Sequence, residues 1–229
     1  MKRRSTTPWK KSRTYGDIYG GRMRRRLADN IFARAHSLQR PVPGQRLPLL
    51  LQDNPSRDYF FPLSAEEVAT ALEQLPARHC EGITHIWLRK RSHRESALGA
   101  PLAEFICGSG VRLIVLYAWR ADGVLPMGRR KPQPQEVAHF LRFGGVLQQR
   151  QGSWVISFEP QALRRFYMEH LLCHEVGHHV DWYHRVWSKA NARQTEETAD
   201  QYAYTWGPLV NAAVPAPSVS LQRTTLSNR

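Results

Sequence analysis

LLCHEVGHHVDWYH, residues 171 to 184, sets four histidines, a glutamate and an aspartate into an otherwise apolar helical pattern. At about 100° per residue, His174 and His178 lie within about 40° of each other and one turn apart, so both imidazoles can converge on one ion. Glu175, next to the first of them, is placed to take a proton from an activated water instead of binding the metal, which is the mechanics of H-E-x-x-H. His170 extends the stripe, but eight residues of helix rise about 12 Å, so one ion cannot take all three histidines. The pair His170/His174 would also have Leu171 in the position of the base, which leaves His170 to packing or to supporting a ligand.

A catalytic zinc site generally has three protein ligands and an open position, and two residues compete for the third place. His184 follows His178 by six residues, the third-histidine spacing of the metzincin pattern H-E-x-x-H-x-x-G-x-x-H. That pattern needs a glycine to turn the chain back, and Asp181 stands there instead. A helix continuing through residues 179 to 184 carries His184 round by about 240° from His178. The other contender is Glu196 in QTEETADQYAYTW, at the start of a following helix, on one face with Asp200 and Ala203. Ala199 and Ala203 are small enough to let that helix approach the first closely. Asp200 is placed to accept the second ring N–H of His174 or His178, and Asp181 either supports a ligand or pairs with Arg185 one turn on. Glu196 and Glu197 would also complement a helix N-terminal dipole. Two histidines and a carboxylate suit zinc, one ion per chain, although Fe(II), Co(II) or Mn(II) accept similar ligands.

Working outward, Pro160 opens a long helix running to His184, and a second covers Thr195 to Trp206. Upstream, VLQQRQGSWVISFEP reads as a hairpin turning at Gln151-Gly152, with Trp154 to Phe158 a candidate exposed edge for an added peptide strand. ITHIWLRK (83–90) and VRLIVLYAW (111–119) read as strands, the second apolar enough to be central. VLPMGRRKPQPQ reads as a basic loop before a short helix, EVAHFLRF. Ser64 and Glu67 form a capping-box signature for a helix ending near Pro76. RPVPGQRLPLLLQDNPSRDYFFP is rich in turn residues and is expected to wrap the surface or link two parts. The periodicity predicts a first helix from Met23 to about Ser37. Strands followed by two consecutive helices make an α+β order.

The chain has 229 residues, 33 Lys+Arg and 19 Asp+Glu, but ten of those cations fall between Lys2 and Arg26 against the single acid Asp17. The basic balance thus belongs mostly to an arm whose Trp9, Tyr15 and Tyr19 suit stacking, so residues 1–26 are a candidate contact for nucleic acid or another polyanion. Three separated cysteines, with no C-x-x-C pair, argue against a disulfide framework and for a reducing compartment. The longest strongly apolar run, LIVLYAW, is too short to span a bilayer, and no apolar stretch follows the charged start. A cytoplasmic location is therefore expected. The Arg-rich start also has the composition of an organelle presequence, though Pro8 and its glycines make a poor amphipathic helix.

HEVGH followed by Glu196-Glu-Thr-Ala-Asp200 resembles the gluzincin metallopeptidases, particularly small intracellular ones, over about residues 83 to 207. The resemblance implies a zincin-like compact sheet packed on an H-E-x-x-H helix and an E-x-x-A-D ligand helix. It implies His174, His178 and Glu196 as zinc ligands, Glu175 as general base and Asp200 as a support for a ligand. Protein or peptide would be the substrate. The expected organisation is a flexible basic arm (1–21), a helical and linker region (22–80), the peptidase domain (81–207) and a disordered tail (208–229). The alternative is a related fold serving as a nucleic-acid-associated or regulatory module without turnover.

Overall fold

A strand apolar on both faces needs neighbours on both edges and packed layers on both faces, and the stretch beginning at Val111, apolar apart from Arg112, has both. The computed structural model describes residues 17–19, 22–24, 38, 41–91, 99–108, 110–184 and 191–214. In chain order the strands are β1 (Asp17–Tyr19), β2 (Arg22–Arg24), β3 (Leu49–Gln52), β4 (Tyr59–Phe60), β5 (His85–Arg89), β6 (Ala103–Gly108), β7 (Val111–Tyr117), β8 (Trp119–Arg120), β9 (Val124–Gly128), β10 (Val146–Arg150) and β11 (Ser153–Ser157). The helices are α1 (Ala65–Glu73), α2 (Ala77–Cys80), α3 (Pro134–Arg142), α4 (Pro160–Arg165), α5 (Cys173–His184) and α6 (Ala192–Ala213). A π-helical run, Phe166–Leu172, joins α4 to α5 without a break. The protein is α+β.

The main sheet has the order β3-β5-β7-β6. β3, β5 and β7 are parallel, and β6 closes the edge antiparallel to β7. Alternation splits β7 between two cores: Ile114 and Leu116 face the helices together with Ile86 and Leu88. Val111, Leu113, Val115 and Tyr117 face the other side, with Leu38 and Trp87. A second sheet, β10-β11-β9, lies downstream. Its hairpin turns at Gln151 (φ 49°) and Gly152 (φ 76°), two left-handed residues as a tight two-residue turn requires.

Several local expectations are met and others corrected. The Ser64 capping box is formed in both directions, and Glu67 also takes Arg164 Nη2 at 2.8 Å, tying α1 to α4. The segment expected to wrap or link instead contributes β3 to the main sheet. Leu49 to Leu51 gain a parallel partner in β5, whose backbone satisfies theirs. VLPMG, expected as loop, is β9, and it pairs with β11. The strand Trp154 to Phe158 is therefore flanked on both sides, and the edge beside the histidine helix is β6. The tail expected to start at residue 208 does not start there: α6 runs through Pro208 to Ala213. Val210 and Val214 are buried there; each such side chain contributes about 1.5–3 kcal/mol, enough together to offset an interior proline's cost of about 3 kcal/mol. Residues 22–24 pair with 17–19 as antiparallel strands, so the first helix does not begin at Met23; the rest of that expected helix, 25–37, lies outside the described residues, as do 1–16 and 215–229.

Candidate metal centre

Two helices bring the site together. α5 presents His174, Glu175 and His178, and α6 packs on it at Ala199 and on the preceding π-helical run at Gly207, both buried. Gly177 makes the approach possible, because a Cβ on it would stand 2.9 Å from both Ala199 Cα and Tyr202 Cβ. Glu196, one turn before Ala199, thereby reaches the histidines.

His174 Nε2 is 3.3 Å from Glu196 Oε2, and His178 Nε2 is 3.6 Å from Glu196 Oε1. The two rings are perpendicular with centroids 4.6 Å apart. Each histidine thus faces a different oxygen of the Glu196 carboxylate. One donor atom from each of the three residues lies within 4.8 Å of the others, near enough to converge on one ion held at about 2.0–2.2 Å from its ligands. His174 Nδ1 is 2.9 Å from Asp200 Oδ1. With that nitrogen donating to the carboxylate, Nε2 keeps its lone pair for an ion.

The charges agree with the geometry. Burial alone would depress the pKa of His174, but its hydrogen bonds to Asp200 and Glu196 overturn this and raise it to about 10. Hydrogen bonds from His174 and His178 in turn hold the Glu196 carboxyl far below its usual range. A pocket that favours a proton so strongly also favours a cation in its place. Glu175 is buried, which pushes its carboxyl up to about 7, and the backbone of Phe105 on β6 hydrogen-bonds to it. It belongs to neither group of candidate ligands.

His170, His174 and Asp200 form the other cluster of potential ligands. It is the poorer site, because Asp200 already holds His174 and no carboxylate stands in the position of a base. Burial pushes His170 down to about 3, so it is a neutral ring, packed 5.5 Å from Phe166 and 5.4 Å from Phe143. Asp181 is buried and falls in neither cluster. α5 is unbroken to His184, so the chain does not turn back at Asp181; the His184 side chain is outside the described residues.

Comparison with protein-family models, curated proteins and solved structures finds no match. The site therefore stands on its own chemistry. A cavity of about 480 Å³ opens beside His174 and Glu175 and is also lined by His139, Trp119 and Arg91. Sequence reading missed all three, together with the backbone of Phe105; they come from separate elements and share no spacing that would link them. Among the described residues, no helix is long and apolar enough to cross a membrane.

Proposed function

We propose that the chain is a zinc-dependent peptidase of gluzincin type, with His174, His178 and Glu196 as ligands and Glu175 as general base. The finer fold reading goes with it: a zincin-like unit in which the compact sheet packs on the H-E-x-x-H helix α5 and the following helix α6, a reading supported by the packing of α5 on β6 and α6. The observation that carries the proposal is the convergence of His174, His178 and Glu196, with one donor atom from each within 4.8 Å of the others, next to a buried carboxylate, Glu175, outside that group. A structural zinc site closes all four positions and needs no base. Glu175 thus favours hydrolysis over a module without turnover.

Zinc would supply Lewis-acid activation of a water and of the peptide carbonyl. The chain's own groups do the rest. Asp200 fixes the His174 tautomer and ring orientation. Glu175, brought by burial close to neutrality, accepts the proton of the attacking water and passes it to the departing amine nitrogen as the C–N bond breaks. The Phe105 backbone holds that carboxylate in place. The expected result for Glu175→Gln is about one zinc per chain by elemental analysis, as in the unaltered protein, with hydrolysis of a quenched-fluorescence peptide library lost. Equal cleavage by the two proteins, or a folded protein that takes up no zinc, would refute the assignment.

A further inference from the structure

The cavity beside the site has a composition that selects among substrates. Its walls include Leu102, Leu125, Met127, Phe140 and Leu171, and it holds about 480 Å³, more than one ordinary side chain needs. Three guanidinium groups also line it. Two are already engaged: Arg120 Nε lies 3.0 Å from Asp122, and Arg130 Nη2 lies 2.9 Å from Glu136. Arg91 differs. It donates from Nη2 to the Pro101 carbonyl and lies over the Tyr117 ring, yet its Nε is buried without a hydrogen-bond partner. Among the described residues no carboxylate pairs with it.

Trp119 adds a second donor. It is 2% exposed, and its indole Nε1 has no acceptor among the described residues. Both unpartnered groups are N–H donors with no accepting capacity. Buried donors left unmatched are costly, and an acceptor that supplies a negative charge matches them best.

We propose that this cavity recognises a carboxylate-bearing residue of the substrate, with its apolar stem against Leu125, Met127 and Phe140 and its carboxylate on Arg91 and the Trp119 N–H. The inference rests on the peptidase reading for its placement beside the scissile bond. Two sources present this chemistry: a glutamate side chain within a peptide, and the α-carboxylate at a chain's C-terminus. The first would make the protein an endopeptidase with acidic preference, the second a carboxypeptidase.

Binding should be measured separately from turnover. Full-length Glu175→Gln protein in zinc would be titrated by fluorescence anisotropy with three labelled hexapeptide series: amidated with glutamate at each position in turn, amidated with leucine at the same positions, and leucine peptides with a free C-terminus. At least one carboxylate series should bind about tenfold or more tightly than amidated leucine, the range expected for hydrogen bonds to a charged group. Adding Arg91→Met should erase the difference, and Arg91→Lys, which keeps the charge but loses Nε, should restore part of it. Amidated leucine peptides binding as well as both carboxylate series would overturn the proposal. So would a preference unchanged in folded Arg91→Met or Arg91→Lys protein. Hydrolysis by the unaltered protein without any such preference would remove this pocket and keep the peptidase; preference without hydrolysis would do the reverse.

Discussion

Replacing Gly177 with alanine tests whether the two ligand-bearing helices meet as closely as the site requires. The new Cβ would stand 2.9 Å from Ala199 Cα, 2.9 Å from Tyr202 Cβ and 3.1 Å from the Ala199 carbonyl oxygen. Carbon atoms settle at about 3.5–4.0 Å, so the helices must part by roughly 0.5 Å or more. Overpacking of this kind costs about 1–3 kcal/mol, and alanine's better helix propensity returns up to about 1 kcal/mol. The net loss of about 0–3 kcal/mol corresponds to a fall in Tm of up to about 12 °C for a domain of this size. Ala199 is one turn from Glu196, so the same displacement moves the carboxylate off the histidines. Zinc affinity should drop by at least the roughly 10–100-fold typical of disturbed ligand support. Gly207→Ala provides the contrast. Its Cβ would collide with the Glu169 carbonyl oxygen, three turns beyond Glu196, so it should lower Tm more and zinc affinity less. Thermal melts combined with competitive zinc titration would measure both. Gly177→Ala melting like the unaltered protein and binding zinc equally well would refute the reasoning, as would a larger zinc defect in Gly207→Ala.

Glu196→Ala should weaken zinc binding far more than His184→Ala, because Glu196 touches both histidines while the helix runs straight through to His184; competitive titration of both variants showing the opposite order would favour the three-histidine arrangement. Cys173 should resist alkylation in the folded protein at pH 8, since burial pushes its thiol up to about 12. Mass spectrometry after iodoacetamide treatment checks this, and native labelling at the rate of a free thiol would contradict it.

The helix carrying HEVGH and the helix carrying Glu196 and Asp200 were legible because their chemistry depends on spacings of three, four and one within a period of 3.6. The strand VRLIVLYAW was legible because, Arg112 apart, it is apolar on both faces, and it is interior. β6 was not, since AEFICG is short and holds Glu104 and a terminal glycine. It is a strand because β7 offers it an edge, a fact about residues 111 to 117 as much as its own. β9 escaped notice for a related reason: Pro126 argues against a strand by itself, yet the ladder accommodates it beside an irregularity between Trp154 and Val155. The π-helical run before the site is likewise silent in sequence. Helix period alone cannot show where one extra residue is taken up per turn.

The two halves of the site differ in how far apart along the chain their parts lie. The groups proposed to hold the ion span only residues 174 to 196, a single helical hairpin. The environment of Glu175 depends on Phe105, about seventy residues upstream, and so on the docking of α5 against β6. Contacts of short separation close early and long loops close late, because each must first meet its entropy of closure. A full-length chain folding from the unfolded state would thus gather the proposed ligands before it acquired a tuned base. On the proposed reading, hydrolytic competence is a property of the finished fold, and a partly folded copy could hold zinc while remaining harmless to its neighbours.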